Sequence, residues 1–258
     1  MNEAPHSNWG VMPVLFHVNG TAVPGYSFFI LLGLLLGCAF YVWKSWGNPL
    51  PLEHKLSLLL AAVVGGIIGA KIPIWVQYFP TLIAAHDIMR WFPGRTIVGG
   101  LVGGVLAVTL VKYIFHIQMK TGDAFAPALA LAITVGRLGC FCAGCCYGVP
   151  ANLPWAVNFG DALPRHPTQI YEAIFAALLF GYLLFMEKKL AARTGELFRH
   201  FMLSYFTFRF LIEFLRQEPR PYLGLTLAQV VSFGIVLYYI TVYRTRLANV
   251  EVATQEVV

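Results

Sequence analysis

Val135-Gly-Arg-Leu-Gly-Cys-Phe-Cys-Ala-Gly-Cys-Cys-Tyr-Gly148 closes a long apolar segment and carries one charge, Arg137. It also holds four of the chain's five cysteines. An arginine at bilayer depth is expensive and is kept for a partner or a task. Everything around it reads as membrane. Of 258 residues, 58% are hydrophobic and 12% charged, against about 25% charged in a soluble domain. The composition predicts an all-α polytopic membrane protein.

A spanning helix needs about 20 mostly apolar residues. Seven stretches qualify: 26–46, 56–78, 97–117, 123–142, 167–186, 200–215 and 225–243. The first ends at Gly47-Asn-Pro49, and the second holds Gly65, Gly66 and Gly69 with Lys71 and Pro73 inside it. The third opens on Gly99-Gly100 and Gly103-Gly104, small-residue spacing that lets helices approach closely. The fifth starts at Pro167, a good first helical residue.

Between spans, 81–95 reads as a polar connection dipping into the interface, 143–164 as a turn-rich loop and 187–199 as a charged loop. Residues 1–246 read as one transmembrane domain without internal repeats, and 247–258 as a polar, disordered tail.

Basic residues set the orientation. The connections after spans one, three and five, with the C-terminal segment, hold ten: Lys44, Lys55, Lys112, Lys120, Lys188, Lys189, Arg193, Arg199, Arg244 and Arg246. The other side holds seven: Arg90, Arg95, Arg137, Arg165, Arg209, Arg216 and Arg220. This predicts a periplasmic N-terminus and a cytoplasmic C-terminus. The first 20 residues carry no Lys or Arg, so no cleavable signal peptide is expected. The 18 basic side chains are dispersed, which suits topology and contact with membrane lipids, not nucleic acid.

Two further motifs share a side with Arg137. Arg165-His-Pro-Thr-Gln-Ile-Tyr-Glu172 opens the fifth span. Gln169 and Glu172, three residues apart, share a helical face. In Arg209-Phe-Leu-Ile-Glu-Phe-Leu-Arg216, positions 209, 213 and 216 fall on one face and alternate plus, minus, plus. Such a row is either a self-satisfied ion-pair ladder or one wall of a polar cavity. With Arg137 and Arg165 on the same side, an anionic headgroup is the ligand these guanidiniums suit, because arginine grips phosphate with a planar fork. The glycines flanking Arg137, Gly136 and Gly139, are expected to bring backbone close to that ligand.

Cys140, Cys142, Cys145 and Cys146 crowd into seven residues and do not form a disulfide framework. Cys142-x-x-Cys145 has a metal-like or redox-like spacing, but such sites add a second pair elsewhere. They read as small residues at a tight helix end, with no metal and no cofactor expected. A transient acceptor role for one thiol stays open.

The order and approximate spacing of these motifs resemble the prolipoprotein diacylglyceryl transferase family. The resemblance rests on Gly136-Arg-Leu-Gly139 with Phe141, Gly144 and Gly148, on 165–172, and on 208–216, and it extends to Gly99-Gly100-Leu-Val-Gly103 and Tyr26. It implies an enzyme of the bacterial inner membrane with seven helices. That enzyme moves diacylglyceryl from phosphatidylglycerol to the lipobox cysteine of a preprotein and releases glycerol phosphate.

Carried onto this chain, the resemblance implies Arg137 as phosphatidylglycerol ligand and Arg209 as catalytic or phosphate-stabilising. Glu213 and Arg216 hold them in place, and His166 and Glu213 are candidate bases for the thiol. Gly136, Gly139, Arg165, Gln169, Glu172 and Tyr26 complete the lipid-binding set. The family usually continues its signature with asparagines and a glutamate, where this chain has Cys140, Ala143 and Cys145. A histidine usual before Gly99 is Val98 here. Two alternatives therefore remain: a paralogue with another acceptor, and a non-catalytic lipid-binding or redox protein using the cysteines.

Overall fold

The structure, a computed structural model, describes residues 11–84, 91, 94–190 and 193–255. Seven α-helices are described: α1 Gly25–Ser45, α2 Leu52–Ala84, α3 Ile97–Ile114, α4 Gly122–Cys142, α5 Thr168–Leu190, α6 Glu196–Ile212 and α7 Leu227–Gln255. Two short antiparallel pairs accompany them, β1 Val14–Val18 with β2 Thr21–Pro24, and β3 Val157–Asn158 with β4 Pro164–Arg165.

Five helices have the length and apolarity to cross a membrane: α1, Leu52–Pro80 of α2, α3, α4 and α5. The chain is a multi-pass membrane protein. In α7 the apolar part is the shorter Leu227–Val242, and α6 has 17 residues.

The helices differ from the sequence expectation at their ends. α2 continues through Pro73 and Pro80 to Ala84, so the connection after it begins later than position 81. The rest of that connection, including Arg90, lies largely outside the described residues. α5 and α6 extend into the charged loop, leaving a short link. α7 runs to Gln255 and so takes in 247–255, the stretch that composition alone reads as a tail. That stretch contains neither Gly nor Pro to stop the helix.

The N-terminal hairpin has a local cause. Asn19 and Gly20 both adopt positive φ, 49° and 79°, and Val18 pairs with Thr21. A two-residue Asn-Gly turn between apolar, β-branched stretches is the strongest short-range hairpin signal.

The described residues form two compact units. One holds those up to Phe40 and from Thr121 onward, the other Tyr41–Lys120. In the second unit α2 lies on α3. A Cβ on Gly69 would come 2.5 Å from the Gly99 carbonyl oxygen, and one on Gly103 would meet Gly65. The backbones touch because these side chains are absent, which is how helices gain contact in lipid. Lys71, inside α2, donates to the Gly94 carbonyl at 3.0 Å.

In the first unit α4 packs on α5 and α6, α5 on α6, and α6 on α7. Phe201, Tyr205 and Phe206 of α6 are fully buried, and Phe175 of α5 stacks on Phe208 with centroids 4.0 Å apart. The start of α6 is fixed from α4. Asp123 accepts from the Gly195 and Phe198 amides at 2.5 and 3.0 Å, filling two of the donors that a helix N-terminus leaves open.

Candidate active site

Three helices of the first unit bring their charged residues to one end. Arg137 comes from the C-terminal part of α4, one turn before its end. Its Nη2 lies 2.6 Å from Glu172 Oε2 of α5, the two side chains being 5% and 2% exposed. Tyr205 of α6 donates to the other Glu172 oxygen at 2.7 Å. One turn further along α6, Arg209 Nη1 sits 2.5 Å from Glu213 Oε2. There the helix tightens into a 3-10 turn, Glu213–Leu215, and Arg216 follows in extended conformation. Arg216 Nε lies 3.6 Å from the same Glu213 oxygen, and its Nη2 donates to Glu218 at 3.0 Å.

The remaining Glu213 oxygen accepts from Thr226 Oγ1 at 3.0 Å. Thr226 also caps α7. Its Oγ1 accepts from the Gln229 amide at 3.2 Å, while Gln229 Oε1 accepts from the Thr226 amide at 3.0 Å. This reciprocal pair is a capping box, and it ties the acid to the helix start.

Glu172 is within electrostatic reach of Arg137, Arg209 and Arg216. Three buried guanidiniums thus share two buried carboxylates, and the third acid in contact, Glu218 on Arg216, is exposed at the rim. The Nε atoms of Arg137, Arg209 and Arg216 and Gln169 Oε1 are buried and make no hydrogen bond among the described residues. Buried charge is normally paired and hydrogen-bonded. Buried guanidinium donors without a hydrogen-bond partner make this a place for an anionic group.

A zipped loop lines this end. Gly148 bridges to Arg216, and Pro150 bridges to Arg165. Val149 N donates to Leu215 O at 2.8 Å, and Gly148 N to His166 O at 2.9 Å. A Cβ on Gly148 would stand 2.5 Å from Leu215 O and 2.8 Å from His166 Cβ, so only glycine lets the two loops close. The stretch after α4 is therefore a scaffold that sets Arg216 beside Arg137.

The remaining expected residues take other places. Arg165 is used by its own loop. Its Nε contacts Asp161 at 2.6 Å, its Nη1 donates to Gln217 at 2.7 Å, and its guanidinium lies over Tyr147. His166 Nδ1 is 3.2 Å from Tyr171 Oη, which accepts from Trp155 at 2.8 Å. Gln169 donates to Cys145 O at 2.6 Å. A Cβ on Gly139 would stand 3.0 Å from the Tyr26 carbonyl, and one on Gly136 would lie 3.6 Å from Ile30. These glycines and Tyr26 let α1 approach α4, where the sequence suggests a backbone approach to a ligand.

Tyr205, Thr226 and Gln229 are missing from the sequence reading. Tyr205 precedes Arg209 by four residues, so extending that charged face one turn back reaches it. Thr226-x-x-Gln229 matches the capping-box pattern.

The cysteines divide. The Sγ atoms of Cys140, Cys145 and Cys146 all lie within 4.8 Å of one another. Cys142 is not among them; its Cβ faces Gly25 of α1. Hydrogen bonds with Cys140 and Cys145 pull the Cys146 thiol well below the ordinary thiol range, with Arg216 and Arg137 adding to the pull. Hydrogen bonds with Cys140 and Cys146, and burial after them, push Cys145 up.

Residues 13–245 match the sequence profile of the prolipoprotein diacylglyceryl transferase family. The chain belongs to that family. Curated relatives named phosphatidylglycerol–prolipoprotein diacylglyceryl transferase agree with the assignment. One from Clostridium tetani is 33% identical over 240 residues, covering 90% of this chain and 96% of its own. Another from Bordetella avium is 31% identical over 254 residues, with the same two coverages. A third from Clostridium perfringens, whose name carries the number 2, is 31% identical over 249 residues, again covering 90% and 96%. As a member of this family the chain is an enzyme, a transferase of diacylglyceryl groups.

Proposed function

We propose that this chain transfers diacylglyceryl from phosphatidylglycerol to the lipobox cysteine of a preprotein, releasing glycerol phosphate. The observation that carries the reading is the set of three buried guanidiniums clustered on two buried carboxylates, with the Nε donors of Arg137 and Arg209 unused. A thiolate attacks the glycerol carbon and a phosphate departs. Charge grows on that phosphate, and preorganised donors in a water-poor site stabilise it most effectively.

In this reading Arg137 and Arg216 bind the lipid phosphate and Arg209 meets the charge that develops on it. Glu213 is their counter-ion and orients Arg209. Glu172 and Gln169 position Arg137 and the loop after α4, and Arg165 holds that loop against the chain following α6. His166, partly exposed at the same loop, is the candidate base for the acceptor thiol. Gly136, Gly139 and Tyr26 serve the lipid site by seating α1 on α4.

The same reading places the enzyme in the bacterial inner membrane with seven crossings, its N-terminus periplasmic and its C-terminus cytoplasmic. Residues 1–246 act as one transmembrane domain, a reading supported by a family match that spans 13–245. Expression in a transferase-depleted cell tests the proposal. The parent chain restores lipoprotein maturation, and Arg137→Ala and Arg209→Ala do not, although both accumulate in the membrane. Full activity in either variant, or failure of a well-expressed parent, rejects it.

A further inference from the structure

The trio Cys140, Cys145 and Cys146 is not used in that reading. It is a built cluster. Cys140 closes the last turn of α4, and Cys145 N donates to Cys140 O at 3.1 Å. Gly144 and Cys146 adopt left-handed φ, 61° and 65°. Glycine does this freely, but for a cysteine it is uncommon and must be held by its surroundings. The holding groups come from the first turn of α5: Thr168 Oγ1 donates to Cys146 O at 2.7 Å, and Gln169 Nε2 to Cys145 O at 2.6 Å. The result is three sulfurs within 4.8 Å. Three thiolates around a tetrahedral zinc ion stand about 3.8 Å apart, a contraction that side-chain rotation can supply.

We propose that Cys140, Cys145 and Cys146 bind one zinc ion whose fourth position receives the acceptor thiol, beside the arginines that receive the donor's phosphate. The inference rests on the transferase reading for its substrates, though not for the metal.

Three protein ligands with one open position is the pattern of a catalytic zinc site. Cys145 and Cys146 are only half-buried, so the cluster has an open side, while Cys140 is buried. Zinc with three thiolates carries a net negative charge. Arg137 Nη1 stands 4.0 Å from Cys140 Sγ, and Arg216 and Arg137 act electrostatically on Cys146. Both guanidiniums would offset that charge and orient the ligands.

The chemistry balances. The acceptor thiol binds zinc as thiolate, and its proton passes by way of His166 to water. Its sulfur attacks the glycerol carbon that bears the phosphate, forming a C–S bond. The C–O bond breaks with its electron pair going to the phosphate oxygen. Glycerol phosphate leaves, the thioether dissociates from zinc, and the ion is unchanged. Copper(I) is satisfied by three thiolates alone and would leave no place for an acceptor.

The test uses the full chain in phosphatidylcholine nanodiscs, stripped with chelator and loaded with zinc or cobalt(II) alone. The proposal expects about one metal per chain, with thiolate-to-cobalt charge-transfer bands. Cys140→Ser, Cys145→Ser and Cys146→Ser each weaken binding by about tenfold or more, and Cys142→Ser does not. A peptide carrying a lipobox cysteine shifts the cobalt bands, and its serine analogue leaves them unchanged. Absent metal binding, equal loss in Cys142→Ser, bands indifferent to the thiol, or a preference for copper(I) without response to the peptide overturns it.

Phosphatidylglycerol turnover separates the two readings. Undiminished transfer by stripped Cys140→Ser protein sinks the zinc site and leaves the transferase standing. Metal that answers the acceptor thiol while no diacylglyceryl moves does the reverse.

Discussion

Replacing Arg137 by methionine strips Glu172 of its ion partner at a point where neither side chain exceeds 5% exposure. The carboxylate keeps one hydrogen bond, from Tyr205 at 2.7 Å. Breaking a buried pair by removing one member costs about 3–5 kcal/mol, because the remaining charge stays desolvated. Glu172→Leu leaves Arg137 in the same position and carries a similar cost. Removing both members at once leaves no orphan charge, and such apolar replacements are often close to neutral.

A double-mutant cycle on Arg137→Met and Glu172→Leu should therefore return a coupling of several kcal/mol. On the scaling of soluble domains, each single change lowers the melting midpoint by roughly 6–20 °C, and the double variant recovers most of the loss. Transfer behaves differently. If Arg137 holds the lipid phosphate, the double variant folds and still transfers at least about a hundredfold more slowly, the usual effect of losing a preorganised donor. Thermal scans in nanodiscs and a phosphatidylglycerol transfer assay read the two axes separately. An Arg137→Met protein as stable as its parent, or a double variant that regains transfer, would refute the reasoning.

Three further outcomes follow from other contacts. Tyr205→Phe removes one hydrogen bond to a buried carboxylate, which contributes about 1.5–3 kcal/mol; transfer should fall about tenfold or more while the protein still folds, and unchanged kinetics would deny Tyr205 a part in setting Glu172. Gly103→Ala pushes a methyl group against Gly65 of α2 and should cost about 1–3 kcal/mol, whereas Gly66→Ala, whose Cβ has 3.6 Å to the nearest atom, should be neutral or slightly stabilising; equal midpoints for the two variants would contradict the close approach. Asp123→Ala uncaps α6 at Gly195 and Phe198, at a cost of about 1–2 kcal/mol, and should speed amide exchange there, with unchanged exchange counting against the cap.

The sequence makes one part of the site readable and hides another. Arg209, Glu213 and Arg216 stand out because they recur on one face of an apolar helix, and the same periodicity leads back to Tyr205. The partner of Arg137 is not readable in that way. Glu172 and Glu213 are both available by composition, and only the packing of α4 on α5 gives Arg137 to the first and Arg209 to the second. Arg165 carries the same warning. It belongs to the same motif as Glu172, yet Asp161 and Gln217 consume its donors, and no spacing rule foresees a partner 52 residues away.

Local geometry misleads in the cysteine stretch. The spacing of Cys142 and Cys145 catches the eye. A single helical residue, Phe141, separates Cys140 from Cys142, a spacing that turns them to different sides, and the left-handed turn at Gly144 and Cys146 then carries Cys145 and Cys146 back to Cys140. The Asn19-Gly20 hairpin was legible in principle, because its turn chemistry is local. A search for apolar runs of spanning length passes over strands of four or five residues.

The central claim is that the arginine cluster receives the phosphate of phosphatidylglycerol and that the diacylglyceryl group leaves with an acceptor thiol. It is met most directly by incubating the purified chain with phosphatidylglycerol labelled separately in its acyl chains and in its phosphate, together with a lipobox peptide. The account predicts acyl label on the peptide's cysteine and phosphate label in free glycerol phosphate, in equal amounts, both lost in Arg209→Ala. Acyl label that stays with phosphatidylglycerol, or phosphate label that travels with the acyl chains, would contradict it.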